Sequence, residues 1–177
     1  MTTEIFPAGV DAMGATTWIA TPTNPLTTDG ASVSLATLNG ATAIDVTCYL
    51  MAAEQEIGLD QGRNDDTRAC DDTKREEFDA PSFTKESILH IVDPQKPGSE
   101  PGNRAVEAFP AYSVVYVIQR LGVKHRTNPE LEAGDLVMVY QVTTGDEHVS
   151  ARENGKYRRE VKTASWVRIG YLVPVAA

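Results

Sequence analysis

Alternation of apolar and polar residues over strand-length segments is the main pattern in this sequence. From Ile44 to Leu50, every second residue is apolar, and the residues between them are mostly polar. Successive side chains of a strand point to opposite faces of a sheet, so this segment predicts a half-buried strand. Cys48 falls on its apolar face and is therefore expected to be buried and reduced.

Further strands are predicted where β-branched and aromatic residues cluster. These runs are Ser87 to Val92, Tyr112 to Gln119, Asp135 to Thr143 and Ala164 to Val173. The run from Tyr112 and the segment Leu136 to Tyr140 are apolar on both faces, which is typical of central strands covered on both sides. Trp18 to Ala20 and Glu76 to Phe78 are weaker strand candidates.

Turn dipeptides such as Asn39-Gly40 and Asn154-Gly155 separate these runs, and helical signals are scarce. The best helix candidate is Gly102 to Phe109 with Asn103 as its N-cap, and a single helical turn is expected at Ser34 to Asn39. Many short strands with frequent turns predict a mainly β protein. The expected architecture is an antiparallel β-sandwich or barrel with one short flanking α-helix.

Length, composition and charge narrow the functional classes. The chain has 177 residues, which favours a single domain over residues 1–177 with no appended C-terminal domain. No apolar run approaches a bilayer-spanning length, and the N-terminus lacks the basic and apolar regions of a secretory signal, so folding in the cytosol is expected. The net charge of −9 argues against a protein that binds nucleic acid through phosphate contacts.

Two polar segments interrupt the strand pattern. Charged residues crowd the stretch at about 53–80, and a second polar stretch runs from Thr144 to Lys162. Loops of this length without a core of their own are usually functional, or are disordered until a partner binds. Two mixed-charge projections on a small β core therefore suggest a subunit that assembles with other copies.

Candidate chemistry is sparse. The three histidines lie far apart, Cys48 and Cys70 form no metal-binding pair, and no common hydrolase or nucleotide-binding motif is present. The segment Asp60 to Asp66 loosely resembles the start of a calcium loop, but Gly62 stands at a ligand position and Arg63 adds positive charge. We therefore expect no catalytic residues, no metal and no cofactor.

The order and spacing of several segments resemble the major tail proteins of siphophages that infect Actinobacteria. The segments are Asp45 to Leu50, Asp66 to Cys70, Leu89 to Pro94, Gly122-Val123, Leu131 to Asp135, Val137 to Val142, and the terminal strand leading into Pro174 to Ala177. None of them is a specific motif alone. The resemblance spans nearly the whole chain.

This resemblance implies a structural virion protein: a tail tube subunit that forms rings of six copies, which stack into a channel for DNA ejection. Its partners would be further copies of itself, other tail proteins such as the tape measure and terminator proteins, and double-stranded DNA that passes without specific binding. Assembly would take place in the cytoplasm of the host bacterium. The long loop of the family corresponds by position to residues 53–80. The candidate subunit or ring contacts there are Asp60, Arg63, Asp65, Asp66, Arg68, Asp71 and Asp72.

Physical arguments agree with that implication. Joining the sheet edges of neighbouring subunits would satisfy exposed backbone groups. Complementary charges on the loops would set the register between rings. As a hypothesis, acidic residues line the channel, because carboxylates give phosphates no attraction. Two alternatives remain open from the residues: a tail terminator or other single-ring morphogenesis protein, and a soluble β-sandwich binding module that recognises sugar or protein through residues 53–80.

Overall fold

A computed structural model describes residues 14–50, 57–61, 63–66, 75–78, 82–151 and 156–176. Eleven strands and two short helices are defined among them. In chain order they are β1 (Thr16–Thr21), β2 (Val33–Ser34), α1 (Leu35–Leu38), β3 (Ile44–Asp45), β4 (Gly58–Asp60), β5 (Arg63–Asp66), β6 (Arg75–Phe78), β7 (Ser82–Thr84), β8 (Ser87–Ile91), α2 (Ala105–Ala108), β9 (Val114–Leu121), β10 (Leu136–Ala151) and β11 (Tyr157–Ala176). The predicted mainly β, antiparallel fold is confirmed.

Five antiparallel strands form the centre of the main sheet, in the order β3-β1-β9-β10-β11. β9 lies between β1 and β10, with Ile118 opposite both Ile19 and Val139. Both faces of β9 and β10 carry buried side chains, so the predicted double coverage of these strands is confirmed. β7 and β8 pair with the outer side of β11, β4 pairs with β7, and β2 pairs in parallel with the end of β11.

Alternation along the central strands divides the buried side chains between two cores, one on each face of the sheet. Trp18 belongs to the larger core, and the next residue, Ile19, belongs to the smaller one. The two helices lie on opposite sides of the sheet: Phe109, which follows α2, packs into the larger core, and Leu38 of α1 packs into the smaller. The structure therefore has two short helices, where the sequence predicted one helix and one separate helical turn.

The polar stretch Thr144 to Lys162 was predicted as a projection outside the strand pattern, and most of it is strand. β10 has 16 residues and β11 has 20, and their ladder continues to the pair Ala151 and Tyr157. We call the paired segments 144–151 and 157–163 the β-arm. In its β11 strand, Arg159 and Val161 are buried between more exposed neighbours, whereas residues 146–149 of its β10 strand are all exposed. The polar composition of this stretch therefore belongs to a paired but largely solvated ladder and not to a loop.

The strand predicted from Ile44 to Leu50 is wrong beyond Asp45. The Asp45 carboxylate accepts a hydrogen bond from the Thr47 backbone N–H at 2.9 Å, which is an Asx turn that bends the chain away from the sheet. Backbone N–H groups of the next residues then bond to the Val46 carbonyl. As a result Cys48 is exposed, and the prediction that it is buried is also wrong.

The helix predictions differ in outcome. At α1, the Ser34 side chain accepts a hydrogen bond from Thr37 N–H, so the predicted turn and its start are confirmed. At α2, the predicted N-cap Asn103 is wrong, because Arg104 occupies that position without a capping side-chain bond. The buried Asn103 amide instead ties down the preceding loop, donating to the carbonyls of Asp93, Lys96 and Pro97.

A buried arginine fixes the loop between β9 and β10. The Arg120 guanidinium is 1% exposed and donates to the Glu130 carbonyl and to an Asp135 carboxylate oxygen, both at 2.8 Å. It also donates to Thr17 Oγ1 and to the Asn128 carbonyl. Burial acts to raise the pKa of Asp135, but hydrogen bonds from Glu132 N–H and Arg120 outweigh it and lower that pKa.

Replacing this arginine should destabilise the fold strongly, because Arg120→Met leaves a carboxylate and two carbonyls without their donor. We expect a loss of ~3–5 kcal/mol in the free energy of unfolding, measured by urea titration. The matched control Arg126→Met alters an exposed arginine in the same loop and should change that free energy by less than ~0.5 kcal/mol. Equal, small effects of both variants would contradict the structural role of Arg120.

Candidate assembly surfaces

The charged region at about 53–80 contains strands where the sequence predicted a loop. β4 and β7 pair within the main sheet, with Asp60 opposite Ser82. β5 and β6 form a separate two-stranded sheet, which we call the β-hairpin (63–66 and 75–78). The weak strand prediction at Glu76 to Phe78 is therefore confirmed. The hairpin emerges between two strands of the main sheet without joining it.

The candidate contact residues of this region are spread over different elements. Asp60 lies exposed in β4, where its carbonyl accepts a hydrogen bond from Ser82 Oγ at 3.3 Å. The register of the β-hairpin sets Asp66 opposite Arg75, and Asp65 opposite Glu76. Arg63 lies opposite Phe78 in the same hairpin. The remaining candidates, Arg68, Asp71 and Asp72, lie outside the described residues. A contact role for all seven stays a prediction.

Charge is concentrated in this region. Residues 53–80 hold ten carboxylates against four basic side chains, and so carry net −6 of the chain's −9. A two-stranded hairpin is at best marginally stable on its own. A basic surface on another molecule would complement the net negative charge of this region.

Besides the terminal strands β3 and β4 of the sheet order, two segments on opposite sides of the β10–β11 pair lack a backbone partner among the described residues. Pairing of β9 with β10 ends at Val114 and Thr143, and Tyr112 N–H makes a last bond to the Gly145 carbonyl. Beyond this bond, on the side of β10 that faces β9, residues 146–151 have no backbone partner among the described residues. On the far side of β11, residues 168–174 lie between the contacts with β7 and β2 and likewise have no partner in the described chain.

The β11 edge is shaped by two β-bulges. The register shifts between Val137 and Val139, and again between Val139 and Tyr140. Leu172, in the first bulge, has φ 48, a left-handed conformation that costs a residue with a Cβ of order 1 kcal/mol. Arg168 lies over the rings of Phe83 and Tyr171, at 4.9 and 4.6 Å from their centroids. Bulges and charges of this kind limit non-specific pairing at an open edge.

A buried polar cluster attaches the β-arm to the segment that contains α2. Arg159 of β11 is 4% exposed and donates to the Phe109 carbonyl at 3.0 Å and the Val106 carbonyl at 3.3 Å. Its other amino group forms an ion pair with Glu147 of β10. Arg159 therefore links both strands of the β-arm to the end of α2.

Histidine 90 completes this cluster as a neutral acceptor. Its Nδ1 lies 3.2 Å from the Ile91 carbonyl, so Nδ1–H donates there and Nε2 accepts from Arg159 at 3.3 Å. Burial lowers the pKa of His90 to about 4, and the positive charge of Arg159 acts in the same direction. Protonation of His90 would set two cations against each other inside the cluster.

The outer face of the β-arm carries charges that pair with one another. Arg158 Nε donates to Ser150 Oγ at 3.1 Å, and Lys162 Nζ donates to Glu160 at 2.6 Å. The hydrogen bond from Lys162 lowers the pKa of Glu160. This face is polar but nearly balanced in charge, in contrast to the acidic β-hairpin.

No group of three or more His, Cys, Asp or Glu side chains that could hold a metal ion occurs within the described residues. Neither of the two described helices has the length and apolar character that a membrane span requires. The histidines at positions 90, 125 and 148 lie in separate parts of the structure: His90 in the buried cluster, His125 beside Asp45 at 3.4 Å, and His148 exposed in the β-arm.

The open edges and the Arg159 cluster were missed by the sequence predictions. Their signal was present as alternation: Tyr157, Arg159 and Val161 share one face of β11, and Glu147 and Val149 share the same face of β10. The many charged residues in this stretch concealed the period-two pattern. A buried arginine on a strand face is a feature that composition alone does not distinguish from a solvated one.

A comparison with protein-family models finds one match, described as "Phage tail tube protein", which covers residues 3–177. A search of the curated proteins finds no match.

The His90 cluster predicts a specific loss of stability in acid. The pKa of His90 is about 4 in the folded protein and near 6.5 when unfolded, so the unfolded chain binds more protons between these pH values. The contribution of neutral His90 to the free energy of unfolding is therefore present above pH 6.5 and is lost as the pH falls towards 4. This loss amounts to about 3 kcal/mol. Urea titrations at both pH values should show a smaller loss for His90→Gln than for the wild type and for the exposed-site control His148→Gln. Parallel losses in all three proteins would contradict this assignment.

Proposed function

This chain belongs to the phage tail tube protein family, and from that premise we propose that it is the major tail tube subunit of a siphophage that infects Actinobacteria. Copies of the chain form rings, six to a ring, and the rings stack into the tube through which DNA leaves the capsid. The family supports a structural tail protein of the virion and suggests a non-enzymatic one. The ring geometry and the channel are the parts that this proposal adds.

The two unpaired edges of the main sheet carry the proposal. They lie on opposite sides of the β10–β11 pair, at residues 146–151 and 168–174. Pairing of one edge with the other edge of the next copy is a heterologous contact, which closes into a ring when the rotation between copies is right. Each copy then satisfies the backbone groups of its neighbours at these two segments.

Strand directions fit this pairing. β10 and β11 are antiparallel within one copy. A rotation about the ring axis keeps the direction of every strand along that axis, so β10 of one copy and β11 of the next are also antiparallel. The two edges are offset along the strands. Residues 146–151 lie at the end of β10, whereas residues 168–174 of β11 lie opposite the beginning of β10. Strands in a closed barrel tilt from the barrel axis, which takes up part of this offset.

The acidic β-hairpin supplies the contact between rings. It lies outside the main sheet, belongs to a region that carries net −6, and is at best marginally stable without a partner. Complementary charge across such a contact sets register and specificity more than affinity. Its partner is a basic surface on a copy in the next ring, or on a tail protein at the end of the tube.

The net charge suits passage of DNA. A subunit with net −9 gives phosphates little electrostatic attraction, so DNA can slide through the channel without specific binding. The tape measure and terminator proteins, expected partners from the resemblance of the sequence, would contact the inside and the end of the tube. Assembly takes place in the cytoplasm of the host.

The hairpin contact can be tested by removing charge without removing chain. The variant Asp65→Asn, Asp66→Asn, Glu76→Gln, Glu77→Gln keeps the length and strand propensity of the β-hairpin. We expect it to fold with unchanged circular dichroism but to form no long tubes when imaged by negative-stain electron microscopy at rising concentration. The control neutralises four exposed carboxylates elsewhere, at Glu86, Glu100, Glu107 and Glu130, and should form tubes like the wild type.

Each image has a defined meaning. Tubes from the hairpin variant would show that the hairpin is not the contact between rings. Wild-type protein that forms only isolated rings would favour a single-ring terminator protein, and wild-type protein that stays monomeric at every concentration would favour a binding module.

A further inference from the structure

A groove lies at the end of the main sheet where β1 begins, on the face that carries Trp18. It has a volume of about 650 Å³, which is within the range of sites that bind a ligand or a peptide segment. β4 forms one wall, and β1, β9 and β10 form the floor. The lining residues are Thr16, Ile57, Gly58, Gln119, Leu121, Met138 and Tyr140.

The groove is adapted to an uncharged, apolar occupant. Among the described residues that line it there is no carboxylate and no basic side chain, and Tyr140 is the one titratable group. Burial raises the pKa of that phenol, so it stays neutral at physiological pH. Two leucines at this end of the sheet are unusually exposed for their size: Leu121, 48% exposed, and Leu136, 52% exposed. Exposed apolar surface next to a groove marks a site of interaction.

We propose that the N-terminal segment, residues 1–13, of the same chain binds in this groove. Thr16 lines the groove, and the residues before it are held there: Gly122 N–H donates to the Ala15 carbonyl and His125 N–H donates to the Gly14 carbonyl. The segment therefore starts at the rim. An extended chain covers up to ~3.3–3.6 Å per residue, so Phe6, ten residues before Thr16, can reach any part of the groove.

The length of its uncharged run distinguishes this segment from the longer stretches of the chain that lie outside the described residues. Its two carboxylates, Glu4 and Asp11, flank six uncharged residues, Ile5 to Val10, which include Phe6 and Pro7. The stretch 51–56 holds two glutamates, 67–74 holds two aspartates and two basic residues, and 152–155 holds Arg152 and Glu153. Burying any of those charges in the groove would be costly without a partner. Tethering at the rim also gives residues 1–13 a high effective concentration at the groove.

A photo-crosslinker at Phe6 tests this proposal directly. Benzoylphenylalanine replaces Phe6 in the full chain, a mixture of ordinary and nitrogen-15-labelled protein is irradiated, and the crosslinked peptides are identified by mass spectrometry. We expect crosslinks to Gln119, Leu121 or Met138, with both peptides from the same isotopic chain. The matched control places the crosslinker at Tyr112, which is 76% exposed and far from the groove, and should give no such products.

The remaining outcomes overturn the proposal. Products that combine the two isotopes would assign the groove to the N-terminus of a neighbouring copy, and crosslinks elsewhere or none would show that another element fills it.

Leu121→Asp should abolish most of the crosslinked product, because it brings a carboxylate into the apolar groove. Val114→Asp, which changes a similarly exposed residue on the opposite face of the sheet, should leave the yield unchanged, and an equal loss in both variants would also overturn the proposal.

Discussion

Backbone hydrogen bonding at the edges of one sheet is the constraint on which this structure depends. β9 has a partner strand on both sides over most of its length, but residues 146–151 of β10 and 168–174 of β11 have a partner on one side only within the described chain. An open edge can pair with any other strand, so natural proteins either protect it or complete it. Here the bulges of β11 restrict what can pair, and the opposite positions of the two edges favour completion by identical neighbours.

Such edges can direct assembly only if the monomer holds them in place. Arg159 does this for the β-arm by joining β10 and β11 to the carbonyls that follow α2, with neutral His90 as a further acceptor. Arg120 does the same for the loop that leads into β10. Both guanidinium groups are buried and donate to several acceptors, the arrangement in which a cation is tolerated inside a protein.

Much of the fold could be predicted from period-two alternation, because alternation reports burial and burial decides strand faces. The mainly β class followed from it together with the clusters of β-branched and aromatic residues that marked the central strands, and the turn capped by Ser34 followed from helix start and stop signals. The prediction failed where a local side-chain bond competes with the sheet, as at Asp45, where an Asx turn ended the strand and exposed Cys48. It also failed where buried polar groups such as Arg159 and Asn103 resemble solvated ones in sequence. The contact role of Asp60 to Asp72 depends on a second molecule, which one chain cannot reveal.

Hydrogen exchange on free and assembled protein tests most directly whether neighbouring copies complete the sheet edges. We expect amides in 146–151 and 168–173 to exchange much more slowly in tubes than in free subunits, and the amides of β9, which already lies between two partner strands, to change little. Unchanged exchange at both edges in well-formed tubes would contradict it, and would mean that the tube is held together by other surfaces.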